Sequence, residues 1–176
     1  MSHDLRWGVM GTGRIAAGVL PLLAAARGCA VTCIASRDRE RAAALAKGCG
    51  VIARPESAPC TYEELESRAD VDAVYLTLIN NLHFQWALRL LRAGKHVLCE
   101  KPLVATAHEA EQLAQAAAEA GVLCCEGFMY MHHPQTARLV ELARTANDPN
   151  SPIGPIKRYR SLRNVTNKDQ YILNTR

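Results

Sequence analysis

The chain has 176 residues, 49% of them apolar and 22% charged, with a net charge of +4; this excludes a disordered polyelectrolyte and allows one domain, or one domain and part of another. The seven cysteines contain no CxxC pair, which excludes a disulfide scaffold or a zinc site and reads as reduced, mostly buried thiols of a cytoplasmic protein. The apolar stretch 15–26 is too short to span a bilayer, and the basic tail (Lys157, Arg158, Arg160, Arg163, Lys168, Arg176) lacks an interleaved aromatic pattern, so neither membrane nor nucleic acid is an expected partner.

In chain order, 5–10 is an apolar run ending in glycine and predicts a buried strand. Residues 14–27 are apolar on nearly all sides, as a helix wedged on a sheet would be. A strand follows at 30–35, a helix at 39–47, a weak strand at 51–53, a short helix at 62–68 and a strand at 73–78. Then come a helix at 83–93 closed by Gly94, a strand at 96–99, an alanine-rich helix at 106–120 with Thr106 and Glu109 spaced as a capping box, and a strand at 122–125. Strands alternating with helices imply crossover connections and a parallel sheet. Six strands at this spacing predict an α/β fold, a doubly wound Rossmann sheet over 1–126.

Gly11-Thr12-Gly13-Arg14-Ile15-Ala16 is a G-x-G-x-x-A turn between a strand and a helix, the context that makes it a dinucleotide-binding signal. Gly11 permits the tight turn, Gly13 lets backbone approach a pyrophosphate, and Ala16 lets the helix sit close to the strand. The end of the second strand selects the cofactor. NAD enzymes commonly place an acid ~20 residues on, to bind the ribose hydroxyls. Here Ser36 is short and uncharged, and Arg37 can stack on adenine and reach a 2′-phosphate, which predicts NADP. NAD stays open through Asp38, which a one-residue shift would make the ribose acid. A solvated helix face is the plainer account of Arg37 and Arg41. Farther on, Lys101 stands at the carboxyl end of a strand, in Glu100-Lys101-Pro102, where open α/β sheets bind ligands. A lysine there can hydrogen-bond a substrate oxygen and move a proton as hydride moves.

With GTGRIA upstream, GKHVLCEKP resembles the glucose–fructose oxidoreductase / inositol dehydrogenase (Gfo/Idh/MocA) family. Asn80-Asn81-Leu82-His83 resembles its P-N-x-x-H loop, with Ile79 in place of proline. The segment from Glu126 through Phe128-Met129-Tyr130 to His132-His133-Pro134 resembles the branch of dimeric dihydrodiol dehydrogenases and NADP-linked xylose dehydrogenases, with Met131 where arginine is common. The resemblance implies an NAD(P)-dependent oxidoreductase acting on a sugar or cyclic diol. It implies that Gly11, Thr12, Gly13, Arg14 and Ile15 line the phosphates and that Ser36, Arg37 and Arg41 hold the adenosine end. Thr77, Leu78, Asn80 and His83 would flank the nicotinamide ribose, Glu100 would orient the ribose or Lys101, and Lys101 would meet the reacting oxygen. Tyr130, His132 and His133 are expected substrate contacts; no acid at ligand spacing accompanies the histidines, so no metal is expected.

Members of this family carry a second domain with much of the substrate site and the dimer face, and are usually homo-oligomeric. After residue 126 the rhythm changes to a helix at 135–145, a loop at 147–152 and a strand within 153–165. Residues 127–176 are therefore expected to be the remnant of an α+β second domain, truncated, with its dimer face missing. The alternative function is an NADP-binding module without turnover.

Overall fold

The computed structural model describes residues 4–49, 59–146, 148–156, 161–163 and 171–173. The chain divides into two units, Met1–Phe128 and Met129–Arg176, two residues past the boundary expected from sequence.

The first unit holds strands β1 (Leu5–Met10), β2 (Cys29–Ala35), β3 (Ala73–Leu76), β4 (His96–Cys99) and β5 (Cys124–Glu126). Its helices are α1 (Arg14–Ala25), α2 (Arg39–Gly48), α3 (Tyr62–Ser67), α4 (His83–Arg92) and α5 (Ala107–Ala120). The strands form one sheet in the order β2-β1-β3-β4-β5, every pair parallel. This is the expected Rossmann-like α/β architecture.

Successive strand residues point to opposite faces, and the core divides accordingly. On one face Val9, Ile34 and Tyr75 pack with Ala16, Leu20 and Ala42 of α1 and α2. On the other, Met10, Cys33, Val74 and Leu76 pack with Leu65 of α3, Trp86 and Leu90 of α4, and Leu113 of α5. The apolar all-round character of the strands follows from this double burial. The predicted capping box of α5 is present, Thr106 and Glu109 capping each other's backbone, and Gly121 ends the helix at φ 66.

Three boundaries differ from the sequence-based expectation. β3 ends at Leu76, and Thr77 just past it donates both its N–H (2.9 Å) and its hydroxyl (3.1 Å) to the Met10 carbonyl. β5 starts at Cys124, because the Val122 N–H donates to the Ala117 carbonyl of α5 (3.0 Å). The expected strand at 51–53 lies outside the described residues; beside β2 the described chain shows Cys60 in a parallel bridge with Ala35. The sheet therefore has five strands among the described residues, where six were expected.

The amino edge of the sheet is tied by charge. The Arg6 guanidinium grips Asp72 (2.6 and 2.9 Å), and the largely buried Lys95 ammonium donates to the Arg68 (2.6 Å) and Val71 (2.8 Å) carbonyls.

In the second unit, α6 (Pro134–Thr145) starts with proline at a position where its missing N–H costs nothing. The strands β6 (Ser161–Arg163) and β7 (Tyr171–Leu173) pair antiparallel.

Candidate active site at the carboxyl edge of the sheet

Because all five strands run parallel, the loops after β1, β2, β3 and β4 emerge on one edge. The chain passes from β1 to β2 on one side and returns with β3 on the other. That reversal makes a crevice between the β1 and β3 loops, where open α/β sheets take ligands. Gly11 marks it: φ is +116, and a Cβ there would stand 2.5 Å from the Thr77 hydroxyl oxygen. Glycine is required by both backbone and contact.

Gly13 differs. Its φ of −79 suits any residue, and a Cβ added there meets nothing within 4 Å. No side chain caps α1, and no acid stands in its first turn. The opening N–H groups of α1 are thus left to an external acceptor, at the positive end of the helix. Ala16, fully buried, brings the helix down onto the sheet, while Arg14 and Ile15 are exposed and Thr12 half-buried.

After β2, Ser36 is buried and its hydroxyl accepts the Asp38 N–H (3.3 Å). The Asp38 carboxylate caps α2, accepting N–H groups of Glu40 (2.9 Å) and Arg41 (3.4 Å). The acid that kept NAD open in the sequence is thus engaged as a helix cap. Arg39 is held by the Pro59 carbonyl (2.9 Å) and by Glu64. Arg37 and Arg41 are exposed and make no ion pair among the described residues.

The turn after β4 is fixed on three sides. The Glu100 N–H donates to the Leu76 carbonyl (2.9 Å), and the Tyr75 hydroxyl donates to Glu100 Oε1 (2.6 Å). Burial, with the Glu100 carboxylate second, pushes the Tyr75 phenol up and keeps it a donor. The Leu103 N–H donates to Glu126 Oε1 (2.8 Å). Lys101 itself is exposed, and the Lys101–Pro102 peptide is cis. Asn80 opens a short 3-10 turn, exposed, with the half-buried Thr77 and Leu78 before it.

His83 bridges the loops after β3 and β4. Its ring is fully buried, Nδ1 lies 2.7 Å from the Pro102 carbonyl oxygen and Nε2 lies 2.9 Å from that of Leu78. Both nitrogens are taken by backbone, so the ring has no polar atom to present to a ligand. Conversely, sequence reasoning passed over Tyr75 and Glu126. Tyr75 is a polar tip in an otherwise apolar strand, and Glu126 ends β5 as the register partner of Cys99, the residue before Glu100.

Tyr130, His132 and His133 lie in the second unit. Tyr130 and His132 are exposed in the 3-10 turn Met129–His132, and the His133 Nδ1 caps α6 by accepting the Gln135 N–H (3.1 Å). Among the described residues, no helix is long and apolar enough to cross a membrane, and no group of three or more His, Cys, Asp or Glu could hold a metal ion.

A dinucleotide fits this edge: the space beside Gly13 is open, the α1 N-terminus is uncapped, and no free acid stands at the end of β2. Comparison with known proteins agrees. The oxidoreductase family with an NAD-binding Rossmann fold (Gfo/Idh/MocA) matches residues 5–128. The chain is 42% identical to dTDP-3,4-didehydro-2,6-dideoxy-alpha-D-glucose 3-reductase of Actinomadura kijaniata, over 80% of this chain and 41% of that protein. It is 40% identical to D-xylose 1-dehydrogenase (NADP(+)) 2 of Haloferax volcanii, over 78% of this chain and 41% of that protein. The chain thus spans about 40% of the length of these relatives. Among solved structures, KijD10, a 3-ketoreductase from Actinomadura kijaniata in complex with TDP-benzene and NADP, superposes with a TM-score of 0.79 at 39% identity, covering 90% of this chain and 48% of that one. From Leu5 to Phe128, motif, sheet order and match coincide, and the chain belongs to the Gfo/Idh/MocA oxidoreductase family.

Proposed function

We propose that this chain is the NADP-binding part of an oxidoreductase that moves hydride between NADP and a hydroxyl or carbonyl of a sugar or cyclic diol. The observation that carries the reading is the uncapped start of α1 behind Gly13, set at the crevice between β1 and β3. Support for NADP over NAD comes from the buried Ser36, the engaged Asp38, and Arg37 and Arg41, which form no ion pair among the described residues. The xylose dehydrogenase is NADP-linked by name, and the KijD10 structure holds NADP.

In this reading the backbone from Gly11 to Ile15 holds the pyrophosphate, and Arg37 and Arg41 pair with the 2′-phosphate. Thr77, Leu78 and Asn80 flank the nicotinamide ribose. Glu100, with one oxygen fixed by Tyr75, offers the other to a ribose hydroxyl. When bound, NADP supplies the hydride acceptor. Lys101, as the neutral amine, hydrogen-bonds the substrate hydroxyl and takes its proton as the carbinol C–H leaves as hydride; in reduction it returns that proton to the carbonyl oxygen. Residues 127–176 belong to an α+β second domain, with Tyr130, His132 and His133 as substrate contacts.

The test separates binding from turnover. NADPH binding is followed by cofactor fluorescence, and oxidation of D-xylose and of a trans-dihydrodiol by NADPH formation. Lys101→Ala should leave NADPH binding nearly unchanged and lower turnover by roughly 10²–10⁴-fold. Binding without turnover in the wild-type chain favours the alternative, an NADP-binding module. Undiminished turnover in the variant would refute the role of Lys101.

A further inference from the structure

His83 opens α4, yet its ring spans two loops that belong to neighbouring strands. Nδ1 meets the carbonyl of Pro102, the residue after Lys101 in the loop following β4. Nε2 meets the carbonyl of Leu78, in the loop following β3. The β3–β4 ladder ends at the pair Leu76 and Cys99, with one more bond from the Glu100 N–H to the Leu76 carbonyl (2.9 Å). Past that point, among the described residues, the hydrogen bonds joining these two loops run through the His83 ring. A carbonyl only accepts, so each bond needs an N–H: a ring with one N–H makes one bond and a ring with two makes both. The ring is fully buried, with Leu78 half-buried and Pro102 exposed, and removing it strips the two carbonyls of this partner.

We propose that His83 is a positioning residue, a staple that fixes the Leu78 loop against the Lys101–Pro102 turn and so sets the nicotinamide end of the cleft. The proposal rests on the reading of Leu78 and Lys101 given under the proposed function. It gives the histidine a task suited to a five-membered ring with a nitrogen on each of two opposite sides, one toward each carbonyl.

The test compares His83→Phe with the wild-type chain by calorimetric titration with NADPH and with adenosine 2′,5′-bisphosphate, which carries the adenosine end alone. The variant should bind NADPH about tenfold more weakly, the equivalent of about 1.4 kcal/mol, while its affinity for the bisphosphate stays within about twofold. Equal losses for both probes would mean a general loosening and overturn the proposal, as would no loss for either. A second measurement needs no variant and no cofactor. In the wild-type chain the His83 ring N–H signal, read by ¹⁵N-correlated NMR, should be protected from solvent exchange; fast exchange at both nitrogens overturns the staple. Failure of the wild-type chain to bind NADPH would refute the cofactor reading instead, and the ring measurement would still decide the staple.

Discussion

Gly11 and Gly13 stand two residues apart and answer to different constraints. Gly11 is needed by the fold, since its φ is +116 and Thr77 fills the place of its Cβ. Gly13 is needed by nothing inside the protein, so its tolerance is set by what approaches from outside. Gly11→Ala should therefore lower the unfolding free energy by about 1–3 kcal/mol. Gly13→Ala should cost less than ~1 kcal/mol, the scale of a helix N-cap change, yet weaken NADPH binding about tenfold or more. Urea unfolding and cofactor titration on the two variants check the contrast; equal effects on stability would contradict it. Ile79, in the place of the proline in the loop motif the sequence resembles, already has φ −73, and its N–H makes no hydrogen bond among the described residues. Ile79→Pro should thus raise stability by about 0.4–1 kcal/mol, read from the urea midpoint. At this scale the phosphate turn and Ser36-Arg37 were legible because local chemistry alone selects them. Asp38 and His83 were not, since a cap and a staple depend on which N–H or carbonyl the fold brings within reach.

The strand–helix alternation was legible throughout the first unit because burial on both sheet faces leaves apolar runs that no other arrangement accommodates. What sequence missed at the level of elements was where strands end: Thr77 is held on the Met10 carbonyl of a neighbouring strand, and the Val122 N–H closes the end of α5 locally on Ala117. The Tyr75–Glu100 bond was hidden for the same reason, since β3 and β4 are neighbours only in the sheet. The tie between β1 and β3 at the opposite edge has its own signature. The Arg6 guanidinium, bonded to Asp72, holds that carboxyl down at about 2. A carboxyl lowered in the folded state stabilises it above the ordinary carboxylate range, and that stability is lost as pH falls from about 4 to about 2. Asp72→Asn should be less stable than wild type at pH 6 and lose less on acidification across that window. Both partners are partly solvent-exposed, so added salt should shrink the difference. Urea midpoints at pH 6 and in the acid window check this; parallel curves for the two proteins would contradict it.

For the molecule as a whole, parallel strand direction does the assembling. It carries turns drawn from residues 11–13, 36–37, 77–80 and 100–103 to one edge, while the braces Asp72 and Lys95 gather at the other. That division is why a motif scattered over ninety residues of sequence could be read as one site. We propose that this edge binds NADP in preference to NAD through Arg37 at the end of β2. The most direct measurement is the pair of dissociation constants for NADPH and NADH, on the wild-type chain and on Arg37→Ala. NADPH should bind at least about tenfold more tightly, a preference of about 1.4 kcal/mol, and Arg37→Ala should remove most of it by weakening NADPH alone. Equal or tighter binding of NADH by the wild-type chain would contradict it.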